Sequence, residues 1–227
     1  GQAKVHDVGS NRRVVDADGK VHFHRGSTTK DPAIRAAPVG EIDPFLKTLS
    51  FWEGEKPLAA ISIYSTHPMS YYGLGGVSWD FVGMARERRQ KDDPSVFQIY
   101  MTGCSGDTTA GKYNDGAKEN RPVLADRMYR AMVEAWEATT RHRLVKAAFN
   151  VTPLRLTPRD TVENLRKRLN DASERTFYRN LAAMGLSWHQ RVAAGQPIDI
   201  PVLDLGRAQF MLLPAESFVG YQLMAQQ

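Results

Sequence analysis

The pattern of apolar and polar residues along the chain predicts alternating strands and helices. Leu58–Ser65 is dense in small and β-branched apolar residues, which is typical of a buried strand. A helix is predicted next, capped by Ser78 or Asp80 and running to about Gln90. Ser95–Met101 then has the composition of a second strand. Strand, helix and strand in this order predict a βαβ unit with parallel strands.

The rest of the chain extends this pattern into an α/β fold. Residues 12–25 predict a hairpin around Asp16–Gly19, and Ile42–Trp52 pairs with Leu58–Ser65. Pro122–Thr140 predicts a helix whose methionine and aromatic stripe belongs to the core. Further predicted elements are a loop at 26–38, a strand at 144–156 broken by Pro153, helices at 161–181 and 186–194, strands at 198–203 and 208–213, and a short helix ending at Gln227. We therefore expect one domain over residues 1–227, with a mixed β-sheet core flanked by helices and polar site residues at strand ends.

Composition and charge narrow the classes of function. Cys104 is the single cysteine, which excludes an internal disulfide and a cysteine-cluster zinc site. The net charge is +5, but the basic residues are dispersed, and their densest group, 86–91, lies at a helix end where cations complement the macrodipole. We therefore expect no nucleic-acid partner. No apolar run approaches the length of a membrane span, and no signal peptide opens the chain.

Polar side chains follow three of the predicted strands. His67 ends the first strand before Pro68, Asp107 lies in the loop after Ser95–Met101, and Glu216 follows the last strand. Imidazole and carboxylate groups are ordinary zinc ligands, and a catalytic zinc takes three protein ligands and water. From its own segment alone, His67 is better interpreted as a strand-end histidine satisfied by a local hydrogen bond.

Other candidate sites are weaker. His22 and His24 share one face of a strand and could hold a metal, but no third ligand lies nearby, so an exposed hairpin face is favoured. His189 has no companion and is interpreted as structural. The glycine-rich stretch 72–78 lacks the lysine of a P-loop and does not match GxGxxG, so it does not indicate a phosphate site.

Five short motifs occur in the order found in the neutral/alkaline (non-lysosomal) ceramidase family, which this sequence resembles. They correspond to the family's NRS segment, histidine-proline segment, serine-x-aspartate-x-x-glycine segment, GDxS loop and PGEF-type segment. Here they read Asn11-Arg12, residues 66–70 (THPMS), residues 78–83 (SWDFVG), residues 106–109 (GDTT) and residues 214–218 (PAESF).

The resemblance implies a secreted or periplasmic zinc amidase that hydrolyses the N-acyl bond of a ceramide-like lipid or a related amide. His67 and Glu216 would be zinc ligands, and the nucleophile would be zinc-activated water. Thr109 would stand at the catalytic serine, with Asp107 beside it, and Arg12 would contact substrate. A lipid substrate also implies contact with a membrane surface.

The chain departs from the family at several positions. Thr109 replaces the serine of the GDxS loop, and Ala110 and Gly111 replace the proline and asparagine that follow it. The family's remaining histidine and tyrosine ligands come from segments outside these motifs, so we expect this chain to be a piece of a larger catalytic domain. Two alternatives stay open: another metal-dependent hydrolase of a different amide or an ester, and a non-catalytic protein that binds carbohydrate or lipid surfaces.

Overall fold

The structure is a computed structural model that describes residues 1–73 and 76–227. The predicted glycine-rich stretch 72–78 therefore includes two residues, Leu74 and Gly75, that lie outside the described part. The strands are β1 (Gln2–Lys4), β2 (Ser10–Asn11), β3 (Arg13–Val15), β4 (Val21–His24), β5 (Phe45–Glu53), β6 (Lys56–Tyr64), β7 (Phe97–Thr102), β8 (Thr108–Thr109), β9 (Ala148–Leu154), β10 (Ile198–Asp204) and β11 (Gln209–Met211). The helices are α1 (Pro32–Ala36), α2 (Asp80–Asp92), α3 (Asn120–Glu137), α4 (Val162–Asn170), α5 (Thr176–Ala193) and α6 (Val219–Ala225).

A mixed four-stranded sheet positions the ends of the predicted βαβ unit. Its strand order is β1-β5-β6-β7. β5 and β6 form an antiparallel hairpin, whereas β6 and β7 are parallel and are connected through α2. The predicted pairing of Ile42–Trp52 with Leu58–Ser65, the βαβ unit and the α/β fold class are thus confirmed. Because β6 and β7 are parallel, their carboxyl ends meet at one edge of the sheet.

A hydrophobic core cluster includes residues of α2, of α3 and of the mixed sheet. On α3, Leu124, Met128 and Ala135 are fully buried, and Met132 is 3% exposed. Phe81 of α2 is also fully buried in this cluster. The methionine stripe of α3 is therefore core, as its spacing predicts.

Residues divide into two compact units: 1–142 with 216–227, and 143–215. The second unit consists of an antiparallel sheet of order β11-β10-β9 and a helix pair, α4 and α5. The prediction of a single domain over 1–227 stays a prediction. In the described part of the chain, no helix is long and apolar enough to span a bilayer.

Three predicted boundaries are wrong. The segment predicted as one helix over 161–181 breaks between α4 and α5, where Asp171 accepts hydrogen bonds from the N–H and hydroxyl of Ser173. The predicted loop 26–38 contains α1, whose first turn is capped by Asp31. β9 continues through Pro153, because β9 is an edge strand, where a missing N–H is tolerated.

Candidate functional site

His67 lies three residues beyond the end of β6 and is fixed to the loop that follows β7. Its N–H donates to the Thr108 carbonyl at 3.0 Å, and residues 67 and 109 form a parallel bridge. The ring Nδ1 lies 3.2 Å from the same carbonyl oxygen. Because a carbonyl only accepts, Nδ1 carries a proton in this contact, and in the neutral form of the ring the lone pair is therefore on Nε2. A neutral histidine held through one ring nitrogen in this way is the usual form of a metal ligand.

Glu216 reaches the free nitrogen of His67. Glu216 Oε2 lies 3.6 Å from His67 Nε2, and the glutamate side chain is 76% exposed whereas that of His67 is 15% exposed. Two donor atoms on one tetrahedral zinc ion lie about 3.4 Å apart, as follows from the usual Zn–N and Zn–O bond lengths. The separation of these two atoms therefore fits two ligands of one zinc ion.

A zinc site needs more donors than this pair supplies. Among the residues that the structure describes, no three or more His, Cys, Asp or Glu side chains cluster so as to hold a metal ion. The predicted zinc-ligand roles of His67 and Glu216 stay a prediction.

Asp107, predicted as a catalytic residue, is 2% exposed and accepts hydrogen bonds at both oxygens. Oδ1 accepts from the N–H of Val219 at 2.9 Å. Oδ2 accepts from Asn11 Nδ2 at 3.1 Å and from Arg13 Nη2 at 2.6 Å. The carboxylate thus joins the amino-terminal strands to the start of α6. Its predicted catalytic role stays a prediction.

Thr109, predicted at the place of a catalytic serine, is 1% exposed. Its hydroxyl donates to the Gly26 carbonyl at 3.1 Å and accepts from the N–H of Gly111 at 2.9 Å. These contacts occupy the hydroxyl in closing the turn after β8 and in joining this turn to the loop that follows β4. The catalytic assignment of Thr109 stays a prediction.

The arginine whose side chain contacts Asp107 is Arg13, which the sequence motifs did not identify. Arg12, predicted to contact substrate, donates its backbone N–H to the Asp107 carbonyl at 2.6 Å and is half-buried. Arg13 pairs with the Asp107 carboxylate, and its guanidinium carbon lies 4.5 Å from the centroid of the Phe218 ring. The sequence Asn11-Arg12-Arg13 places two arginines next to Asn11, and only the register of β3 in the structure shows which side chain binds Asp107. Substrate contact by Arg12 stays a prediction.

Two further residues, Asp43 and Gln222, help to hold the loops of the site in place, and the sequence motifs did not identify them. Gln222 of α6 accepts from Ser65 Oγ at 2.8 Å and from the N–H of Cys104 at 2.9 Å, so one amide joins the two loops that follow β6 and β7. Its Nε2 donates to Asp43 at 2.7 Å. No local sequence signal identifies this contact, because its two partners are 179 residues apart.

Two further residues near the site have structural roles. Asp80 accepts from the N–H of Ser70 at 3.0 Å, which ties the chain just beyond His67 to the start of α2. Burial, and secondarily the Asp107 carboxylate, raise the pKa of the Cys104 thiol, so this cysteine is protonated at neutral pH. His22 and His24 are exposed on the β3–β4 hairpin, as favoured by the sequence.

Comparisons with known proteins bear on the fold. No protein-family model matches the chain, and no curated protein matches it. The neutral ceramidase from Pseudomonas aeruginosa matches 99% of this chain with a TM-score of 0.62 and 14% identity, and the chain spans 41% of that structure. A ceramidase complexed with C2 matches 70% of this chain with a TM-score of 0.50 and 14% identity, over 25% of its own length. The expected resemblance is therefore confirmed at the level of the fold: this chain has the fold of part of a neutral ceramidase.

Proposed function

We propose that this chain contributes His67 and Glu216 to the zinc site of an amidase that hydrolyses the N-acyl bond of a ceramide-like lipid or a related amide. The single observation that carries the proposal is the 3.6 Å separation of His67 Nε2 and Glu216 Oε2. Fold likeness to neutral ceramidase supports the same chemistry. A bound zinc ion would supply Lewis acidity at the scissile carbonyl and acidify a water molecule.

The residues of this chain prepare the site for that chemistry. In the neutral ring, the Thr108 carbonyl favours the tautomer of His67 with its proton on Nδ1, so that Nε2 is the nitrogen available as a ligand. Glu216 is exposed, so its carboxylate is accessible from solvent at the edge of the sheet. In this proposal, Arg12 contacts the substrate, and Thr109 is the residue beside the reacting amide, with Asp107 next to it in the same loop.

Partners and location follow from the proposed substrate. An N-acylated lipid is found in membranes, so the enzyme would act at a membrane surface. Exported family members favour a periplasmic or secreted location. We propose both for this protein.

Zinc content and amide hydrolysis test the proposal in the protein expressed with its natural termini. We expect about one zinc ion per chain and release of fatty acid from a long-chain N-acylsphingosine in detergent micelles. His67→Ala and Glu216→Ala each remove a ligand, so each variant loses zinc and hydrolyses the amide at least about 100-fold more slowly.

Matched controls distinguish this site from other side chains of the same type. His24→Ala and Glu53→Ala change exposed residues of the same unit, and both variants should keep zinc and activity. A wild-type protein without zinc would contradict the proposal. So would undiminished amide hydrolysis by His67→Ala, and hydrolysis of esters alone would favour a different hydrolase.

A further inference from the structure

The structure assigns Arg13 and Asp107 a positioning role: together they hold the backbone that carries Glu216 beside His67. This inference rests on the proposed zinc site and adds residues that act on Glu216 through its neighbours. It interprets Asp107 as a support for the 216–219 segment rather than as a proton-transfer group. It also identifies Arg13, rather than only its neighbour Arg12, as part of the site.

The loop that contains Gly106 and Asp107 makes two hydrogen bonds to the segment 216–219. Asp107 Oδ1 accepts from the N–H of Val219, the first residue of α6, at 2.9 Å. The Gly106 N–H donates to the Ser217 carbonyl at 3.0 Å. A Cβ at position 106 would lie 2.0 Å from the Glu216 carbonyl oxygen, so this approach requires glycine. These contacts fix the position of the backbone at Glu216, and so the point from which its side chain extends.

Arg13 holds Asp107 in the orientation that makes those contacts. Its Nη2 donates to Asp107 Oδ2 at 2.6 Å, which directs the other oxygen to Val219. Charge-assisted bonds of this length are among the stronger ones in proteins. With both oxygens engaged and the side chain 2% exposed, the carboxylate is poorly placed to exchange a proton with a substrate.

The arginine also contacts the segment directly. Its guanidinium lies over the Phe218 ring at 4.5 Å from the centroid, in the range of a cation–π contact. Arg13 therefore restrains the segment twice, through Asp107 and through Phe218. Lysine can replace the charge of Arg13, but it lacks the planar guanidinium group that stacks on an aromatic ring and donates several hydrogen bonds. A lysine substitution should therefore keep only part of this function.

Two measurements on the protein with its natural termini test the role: the zinc dissociation constant, from competition with a chelator, and hydrogen exchange of the Val219 amide. We expect Arg13→Met and Asp107→Ala to weaken zinc binding about 10- to 100-fold, the usual cost of losing a support of a metal ligand. Exchange at Val219 should accelerate in both variants. Arg13→Lys should fall between Arg13→Met and wild type in both measurements.

Arg141→Met is the matched control. Arg141 pairs with Glu55 at 2.6 Å and lies over the Trp52 ring at 4.8 Å, so it has the same two kinds of contact as Arg13. Glu55 lies in the β5–β6 turn, at the opposite end of β6 from His67. The control should leave the zinc dissociation constant and Val219 exchange as in wild type.

The possible results separate the two proposals. Wild-type zinc affinity and Val219 exchange in Arg13→Met would overturn the positioning role while leaving the zinc site intact. A wild-type protein that binds no zinc would overturn the proposed function, and Val219 exchange would still decide whether Arg13 restrains the segment. If Arg13→Met accelerates exchange throughout α3 as well, the protein has lost its fold, and Arg13→Lys then decides.

Discussion

The hydroxyl of Thr109 makes two backbone contacts that a serine at this position could also make. It donates to the Gly26 carbonyl and accepts from the Gly111 N–H, both in a buried environment. A buried donor or acceptor left without a partner costs more than the hydrogen bond itself contributes. Thr109 is therefore a determinant of stability.

Thr109→Val and Thr109→Ser separate the contribution of the hydroxyl from that of the methyl group. Valine keeps the shape but removes the Thr109 hydrogen bonds to the Gly26 carbonyl and the Gly111 N–H, so we expect a loss of about 1–3 kcal/mol in the free energy of unfolding. Serine keeps both hydrogen bonds and loses one buried methyl group, at a cost of about 1 kcal/mol. Urea unfolding at neutral pH measures both, and the prediction fails if valine is tolerated as well as serine.

Among the elements, α6 is attached by two buried carboxylates, Asp107 at its first residue and Asp43 along its length. Asp43 is 2% exposed and accepts from Gln222, Gln226 and the N–H of Phe45, in addition to a short ion pair with Lys47. Burial raises the pKa of Asp43, but Lys47 and the hydrogen bonds from Phe45 and Gln222 outweigh burial, and the pKa lies below its ordinary value of 3.8. The ionised form thus stabilises the attachment of α6.

The depressed pKa of Asp43 gives a pH dependence with a definite sign. Its stabilisation is complete above the ordinary pKa near 3.8 and is lost as the pH falls through the lower pKa of the folded protein. We expect Asp43→Asn to lower the free energy of unfolding by about 2 kcal/mol at pH 7 and to lose stability less steeply below pH ~4. Asp18→Asn, in an exposed turn, is the control, and parallel pH curves for wild type and Asp43→Asn would contradict the prediction.

Local pattern predicted the elements around His67 but not the contacts that complete the site. The apolar composition of β6 and β7 and the helix between them sufficed for the βαβ unit, because each signal lies within a few residues. The break at Asp171–Arg175 was missed although Asp171 and Ser173 form a turn, since the apolar periodicity continues across it. The Asp43–Gln222 contact could not be predicted, because nothing in either segment specifies the other.

At the scale of the whole molecule, burial is concentrated in one of the two units. In residues 143–215, all of which the structure describes, the buried residues are Leu165 and Ala182. The helices α3 and α5 have 18 residues each, yet α3 buries six residues and α5 buries one. Since helical stability in proteins comes mainly from packing, equal length does not imply equal stability here.

Native-state hydrogen exchange tests this difference, with α3 and α5 as a pair matched in length. We expect amides in the middle of α5 to exchange about tenfold or more faster than those in the middle of α3, because fewer buried contacts oppose local opening. Measurements at several denaturant concentrations separate local from global opening. Equal protection of the two helices would show that contacts other than burial within the 143–215 unit stabilise α5.

The hydrogen bond between Asp107 and Val219 has a consequence for how the protein is made. It closes a loop of 112 residues, and bringing such distant segments together costs about 4 kcal/mol of chain entropy before any contact compensates for it. During synthesis, the strands around His67 emerge from the ribosome long before Glu216 is added. A nascent chain can therefore complete its mixed sheet while the proposed metal site is still absent, and any metal would bind there only after Glu216 has been added.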